Sequence, residues 1–263
     1  MALNNPAFRN EAFQQGSVMA QQTATAEQLQ SMYNQPSAGS VTTDRMTVED
    51  TIGKSVIAFG VLLVAAAVGW FLPALAMPAA IVGFVLALVN IFKKEPSAAL
   101  VLLYSAAQGV FVGGISGLFE GQWAGIVSQA VIATLVVVGV TLALFASGKI
   151  RATKKATKIF MIAMIGYAVF SLINVGLMLF GVNDDPWGLR GSVDIAGIPL
   201  GLILGVLAVL LGAYSLVLDF DFIQRGVQNR APRKYGWTGV FGVMVTVIWL
   251  YLEILRMLAI SRD

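Results

Sequence analysis

The stretch TIGKSVIAFGVLLVAAAVGWFLPALAMPAAIVGFVLALVNIFKK, residues 51–94, decides the class of fold. From Ser55 to Leu72 it carries no charged residue. As a helix rising ~1.5 Å per residue, a run of that length nearly crosses the ~30 Å hydrocarbon layer of a bilayer. The region around Pro73 interrupts the run, a second apolar run follows at 77–92, and Lys93-Lys94 closes it. Span, turn, span and paired positive charge form a hairpin written for a membrane.

The same pattern continues to the C-terminus, with further apolar runs at 97–119, 123–146, 158–180, 198–222 and 238–260. The run at 77–92 is short and needs a neighbouring helix or local thinning of the bilayer. Composition agrees. Apolar residues make up 57% of the 263 and charged ones 12%, and a mean hydropathy of +0.80 excludes an ordinary soluble domain. The expected fold is an all-α membrane protein, a seven-transmembrane helix bundle over 46–263. Residues 1–45 differ: QQTATAEQLQ at 21–30 typifies a polar segment that buries too little apolar area to offset its ordering entropy, and it reads as a disordered cytoplasmic tail. It has no basic start followed by an apolar core, so it does not read as a signal peptide. Order is expected to begin at Thr47-Val48-Glu49-Asp50, a T-x-x-D capping box.

Lys and Arg set the expected orientation, because cytoplasmic loops carry their excess. Arg9, Arg45 and Lys54 precede or open the first span. Lys93 and Lys94 follow the second, Lys149, Arg151, Lys154, Lys155 and Lys158 the fourth, and Arg225, Arg230, Arg233 and Lys234 the sixth. That places 14 of the 17 basic residues on one side. The opposite side has Arg190 in its loops, Arg262 at the end and Arg256 inside the last span. The bias alternates loop by loop, which requires an odd number of spans, with the N-terminus inside and the C-terminus outside. The net charge of +3 is thus topogenic, and no soluble basic patch points to nucleic acid. The longest outer connection, GVNDDPWGLRGSVDIAG at 181–197, holds Asp184, Asp185 and Asp194, with Trp187 as a headgroup anchor. It reads as a solvated loop whose charge would attract cations weakly.

Cysteine and histidine are absent, which removes disulfides, thiol nucleophiles, imidazole bases and serine triads that need one. Ser116 in GGISGLF therefore has no activating base. Gly109, Gly113 and Gly117 in the third span, and Gly197, Gly201 and Gly205 at the sixth, recur every four residues and read as helix-packing faces. The informative residues are acids in apolar runs. A carboxylate in hydrocarbon is costly and normally faces the bundle interior or a water-filled path. Asp219 and Asp221 lie in SLVLDFDFIQRG, and Glu253 lies in WLYLEILRMLA. Asp221 can pair with Arg225 at i+4 and Glu253 with Arg256 at i+3. Counting back from a loop at 229–239 sets Asp219 and Glu253 at ~15 Å and ~21 Å depth, nearly level, with Asp221 turned to the other face. The expected pair is Asp219 with Glu253, sharing one proton because two carboxylates in one poorly solvated site cannot both ionise cheaply.

These segments carry a resemblance. LYSAAQGVFVGGISGLFE (103–120), FKKEPS (92–97), LVLDFDFI (216–223) and WLYLEILRMLA (249–259) resemble the Bax inhibitor / YccA-like family of seven-span membrane proteins. NPAF (5–8) and MTVEDTIGK (46–54) resemble its actinobacterial branch. The resemblance implies a pH-sensitive calcium leak, with a carboxylate pair between the sixth and seventh helices as sensor. Asp219 and Glu253 correspond to that pair. Gln108 stands where many relatives have a Glu, and Lys93 or Lys94 is the nearest substitute for an arginine latch in the second span. Calcium would be a transient ligand at Asp219 and Glu253, since a tight site needs six to eight oxygens. No tightly bound cofactor and no enzymatic activity are expected. The reading is a passive calcium or cation channel of the bacterial cell membrane. Its rivals are a non-conducting regulator that binds a membrane protease or another membrane protein, and a proton-coupled transporter.

Overall fold

The computed structural model describes residues 44–263, together with positions 30 and 34. The tail reading at 1–45 lies outside the described residues except for Asp44 and Arg45, which are ordered against the rest of the chain. Seven helices among the described residues are long and apolar enough to span a bilayer. They are α1 (Val48–Phe71), α2 (Ala76–Phe92), α3 (Ala98–Gln122), α4 (Ile126–Ala146), α5 (Lys154–Leu179), α6 (Leu200–Gln228) and α7 (Gly236–Ile260). A 3-10 turn at Pro73–Leu75 carries the chain from α1 into α2. It extends the second apolar segment to Pro73–Phe92, so the short run gains a turn from the connector that interrupts it.

The helix ends follow local chemistry. Thr47 caps α1 by accepting the Asp50 amide at 3.2 Å. Glu120 closes α3 and begins α4, its two carboxylate oxygens accepting the amides of Gly125 at 2.6 Å and Val127 at 3.0 Å. An anion at a helix N-terminus satisfies free amides and complements the dipole. Order starts before the capping box, because the Met46 amide bonds Ala231 O and the Arg233 amide bonds Asp44 O. Arg45 bridges Pro232 in the same antiparallel pairing. Lys54 and Arg233 then converge on Asp50, Lys54 Nζ at 2.5 Å from Oδ2 and Arg233 Nη2 at 2.7 Å from Oδ1. Lys54 also donates to the Arg233 carbonyl at 2.8 Å. Charges that mark a membrane side also staple the α6–α7 connection to the start of α1. On the exposed rim Lys234 bonds Glu95 at 2.9 Å and holds that carboxyl below its ordinary range.

α7 is the central helix: fourteen of its residues are buried, against three in α5 and two in α2. It touches α1, α3, α4 and α6, and its Val243, Leu250, Ile254 and Leu255 form the core with Ile126, Ala130 and Leu216. α1 packs on α3 along the glycine face. A side chain at Gly113 would overlap the Ala66 carbonyl, one at Gly109 would meet Leu62 and Ala65, and one at Gly117 would press on Trp70. Gly201 and Gly205 lie against Ile260 and Met257 of α7. Gly197 does not share that role. It sits with Ala196 in the turn of a two-stranded hairpin, β1 (Asp194–Ile195) and β2 (Ile198–Pro199). Both turn residues have positive φ, +55° and +79°, as a type I′ turn requires. The four-residue spacing was shared by a helix face and a turn, and only the backbone tells them apart.

Candidate functional site

Glu253 projects from α7 into the bundle and is 3% exposed. Its partners come from two directions. Arg256, one turn along the same helix, approaches Oε1 at 3.0 Å. Arg190, from the connection between α5 and α6, reaches Oε2 at 3.5 Å. Arg190 is 4% exposed, so the basic residue of the α5–α6 connection is an interior group. Its guanidinium also donates to Tyr167 Oη at 3.0 Å and Ser171 Oγ at 2.8 Å, and it lies over the rings of Tyr167 and Phe170. A buried arginine is tolerated when its donors are paired in this way.

The loop is built to deliver that arginine. Asn183 Oδ1 accepts the Asp185 amide and Asp185 Oδ1 accepts the Trp187 amide, two side-chain turns that curl the chain back over α5. Asn174 of α5 then grips it from below, accepting the Leu189 amide at 2.6 Å and donating to the Trp187 carbonyl at 3.2 Å. Gly188 supplies a φ of +63° and comes close enough to Asn174 that a β-carbon would collide. A helical turn at Leu189–Ser192 points Arg190 inward. Above it, Trp187 bonds the Asp263 carboxylate through Nε1 and stacks near Phe119 and Trp123. Tyr167, Ser171, Arg190, Trp249, Glu253 and Arg256 line a cavity of about 610 Å³ between α5 and α7.

Asp219 lies elsewhere. Thr246 of α7 donates to its Oδ2 at 2.7 Å, and its other oxygen lies against Gly242. Ser215 extends this chain to Thr246 at 3.1 Å. Among the described residues Asp219 has a hydroxyl partner and no cationic one. Thr246 and Glu253 are seven residues apart on one helix, about 10 Å along its axis. The expected shared site of Asp219 and Glu253 is therefore not assembled. The two acids occupy separate levels, because the register of α6 on α7 is set where Asp219 fits the gap at Gly242, not by distance from the loop.

The remaining candidates divide plainly. Asp221 faces away from α7 and forms an ion pair with Arg225. Gln108 packs against Gly83 of α2. Lys93 and Lys94 are exposed at the end of α2 and latch neither acid. Ser116 bonds Tyr251 across α3 and α7 at 2.6 Å. Among the described residues no three carboxylates converge on one point. Sequence reasoning missed Arg190, Tyr167, Ser171, Asn174 and Thr246. A signal existed for Arg190, an arginine alone on a side otherwise kept free of loop cations, and for Asn174, a carboxamide well inside an apolar run.

These features define a multi-pass membrane protein of seven helices with a buried arginine–carboxylate cluster. The Bax inhibitor 1 like family model matches residues 5–263. The chain belongs to that family. No curated protein matches it in sequence.

Proposed function

We propose that this protein is a pH-dependent passive leak for calcium or a similar cation, set in the bacterial cell membrane and carrying out no enzymatic reaction. The observation that carries the reading is Glu253, an interior carboxylate of the central helix neutralised by Arg190 from a loop. A guanidinium held there occupies the position in which a permeant cation would meet the acid. Removing it frees Oε2 while Arg256 still holds Oε1, and a half-paired buried carboxylate takes a further counter-ion. Asp219, about 10 Å further along the path and without a cationic partner among the described residues, supplies a second stop. Single carboxylates aided by hydroxyls, carbonyls and water bind calcium weakly, which suits transit.

The pH response follows from the latch. The Glu253–Arg190 ion pair ties the loop to α7, so a change of charge at this pair loosens the loop and changes flux. The positive charge on the loops after α2, α4 and α6 supports a cytoplasmic position for these loops and the N-terminus.

Calcium flux into liposomes containing only this protein tests the reading. Flux that changes with pH, without a proton gradient, is expected. Absence of flux would leave a non-conducting regulator of another membrane protein, and flux that requires an imposed proton gradient would indicate a coupled transporter.

A further inference from the structure

A second cavity, of about 750 Å³, opens between the N-terminal end of α5 and the C-terminal end of α6. Two helical stripes face each other across it. α5 contributes Lys154, Lys158 and Met161, and α6 contributes Leu218, Phe222 and Arg225, each set at the i, i+4, i+7 spacing that shares one helix face. The stripes run antiparallel and their polarity coincides. Lys154, Lys158 and Arg225 stand at the membrane edge, while Met161, Leu218 and Phe222 stand deeper. Met161 and Phe222 are 50% and 46% exposed, so apolar surface inside the cleft has no protein covering it. Arg225 is paired with Asp221. Among the described residues neither Lys154 nor Lys158 has a carboxylate partner, and the free amides at the start of α5 add to the positive field.

We propose that this cleft is a binding site for an anionic phospholipid of the adjacent leaflet, with its phosphate between Lys154, Lys158 and the start of α5 and an acyl chain along Met161, Leu218 and Phe222. Basic pockets between spans on the cytoplasmic side suit such headgroups. A free phosphate ion satisfies the lysines but leaves the apolar depth of the cleft empty, so the lipid is the occupant that fits both ends. The inference rests on the membrane placement of α5 and α6 and does not depend on ion conduction.

Native mass spectrometry of the full chain in detergent, titrated with phosphatidylglycerol or phosphatidylcholine, tests it. A site preferring phosphatidylglycerol is expected. Lys154→Gln with Lys158→Gln should weaken that binding about 10–30-fold, the scale of two lost lysine contacts at a membrane surface. Lys149→Gln with Lys155→Gln removes the same charge outside the cleft and should change it little. Met161→Trp fills the depth, keeps every charge and should also displace the lipid, which decides the matter if the lysine variant is poorly folded. Equal loss in both lysine pairs would show general electrostatics and overturn the proposal. So would displacement of the lipid by millimolar inorganic phosphate, or full binding in Met161→Trp.

Discussion

At Glu253 one side chain meets two arginines of different origin, and each can be removed separately. Arg190→Gln deletes the loop's cation while Arg256 remains, so the variant should fold and should show a several-fold higher calcium leak at neutral pH in liposomes. An unchanged leak would separate Arg190 from any gate. Glu253→Gln keeps size and removes the charge, and should flatten the pH dependence of flux. Asp219→Asn acts on the level of Thr246. Sites about 10 Å apart with no shared partner combine additively, so the double variant should show the sum of the two single effects on the pH profile. Non-additivity would mean that the acids move together in a state unlike this structure. Asn174→Ala loosens the loop without touching the acid. It should raise the basal leak as Arg190→Gln does while preserving the pH dependence.

Among the elements, α1 and α3 pack backbone against backbone, because Gly109 and Gly113 leave no side chain between them. Lipid offers helices no hydrophobic drive to associate, and close backbone contact replaces it. Gly113→Ala must force the helices apart and should cost about 1–3 kcal/mol, the usual range for overpacking a tight interior. Gly139→Ala in α4 meets nothing within 4 Å and should be neutral or stabilise by up to about 1 kcal/mol through helix propensity. Melting both variants in one detergent gives the comparison. The glycines of the third run were legible in the sequence because an i, i+4 repeat within one unbroken apolar run specifies a face. Gly197 was not, because its run starts where a hairpin ends and the same spacing crosses that boundary.

For the whole molecule, seven spans put the two ends on opposite sides of the membrane. A tag at the N-terminus should be protected from an external protease or impermeant label in intact cells, and one after Asp263 should be accessible. Protection of both would contradict the seven-span path. α7 runs through the middle of the bundle, and every acid of the candidate site lies on it or against it. Substitutions on its buried face should therefore disturb both the fold and the flux, whereas α5, with little of its surface buried, should tolerate change on its lipid side.

Span number, apolar length and charge bias are properties of consecutive residues, so the sequence alone determined the seven-helix membrane class. It also singled out Asp219, Asp221 and Glu253, because a carboxylate in an apolar run is costly wherever the run ends up. Partners are another matter. Glu253 and Arg190 are 63 residues apart, and their meeting depends on two side-chain turns, a positive-φ glycine and a carboxamide grip that together bend a loop inward. Asp219 was assigned a depth by counting residues, but helix register is decided by which side chain fits which gap, and the gap at Gly242 is a property of two packed surfaces. Local pattern specifies what each segment must bury. Only the tertiary packing decides what lies opposite.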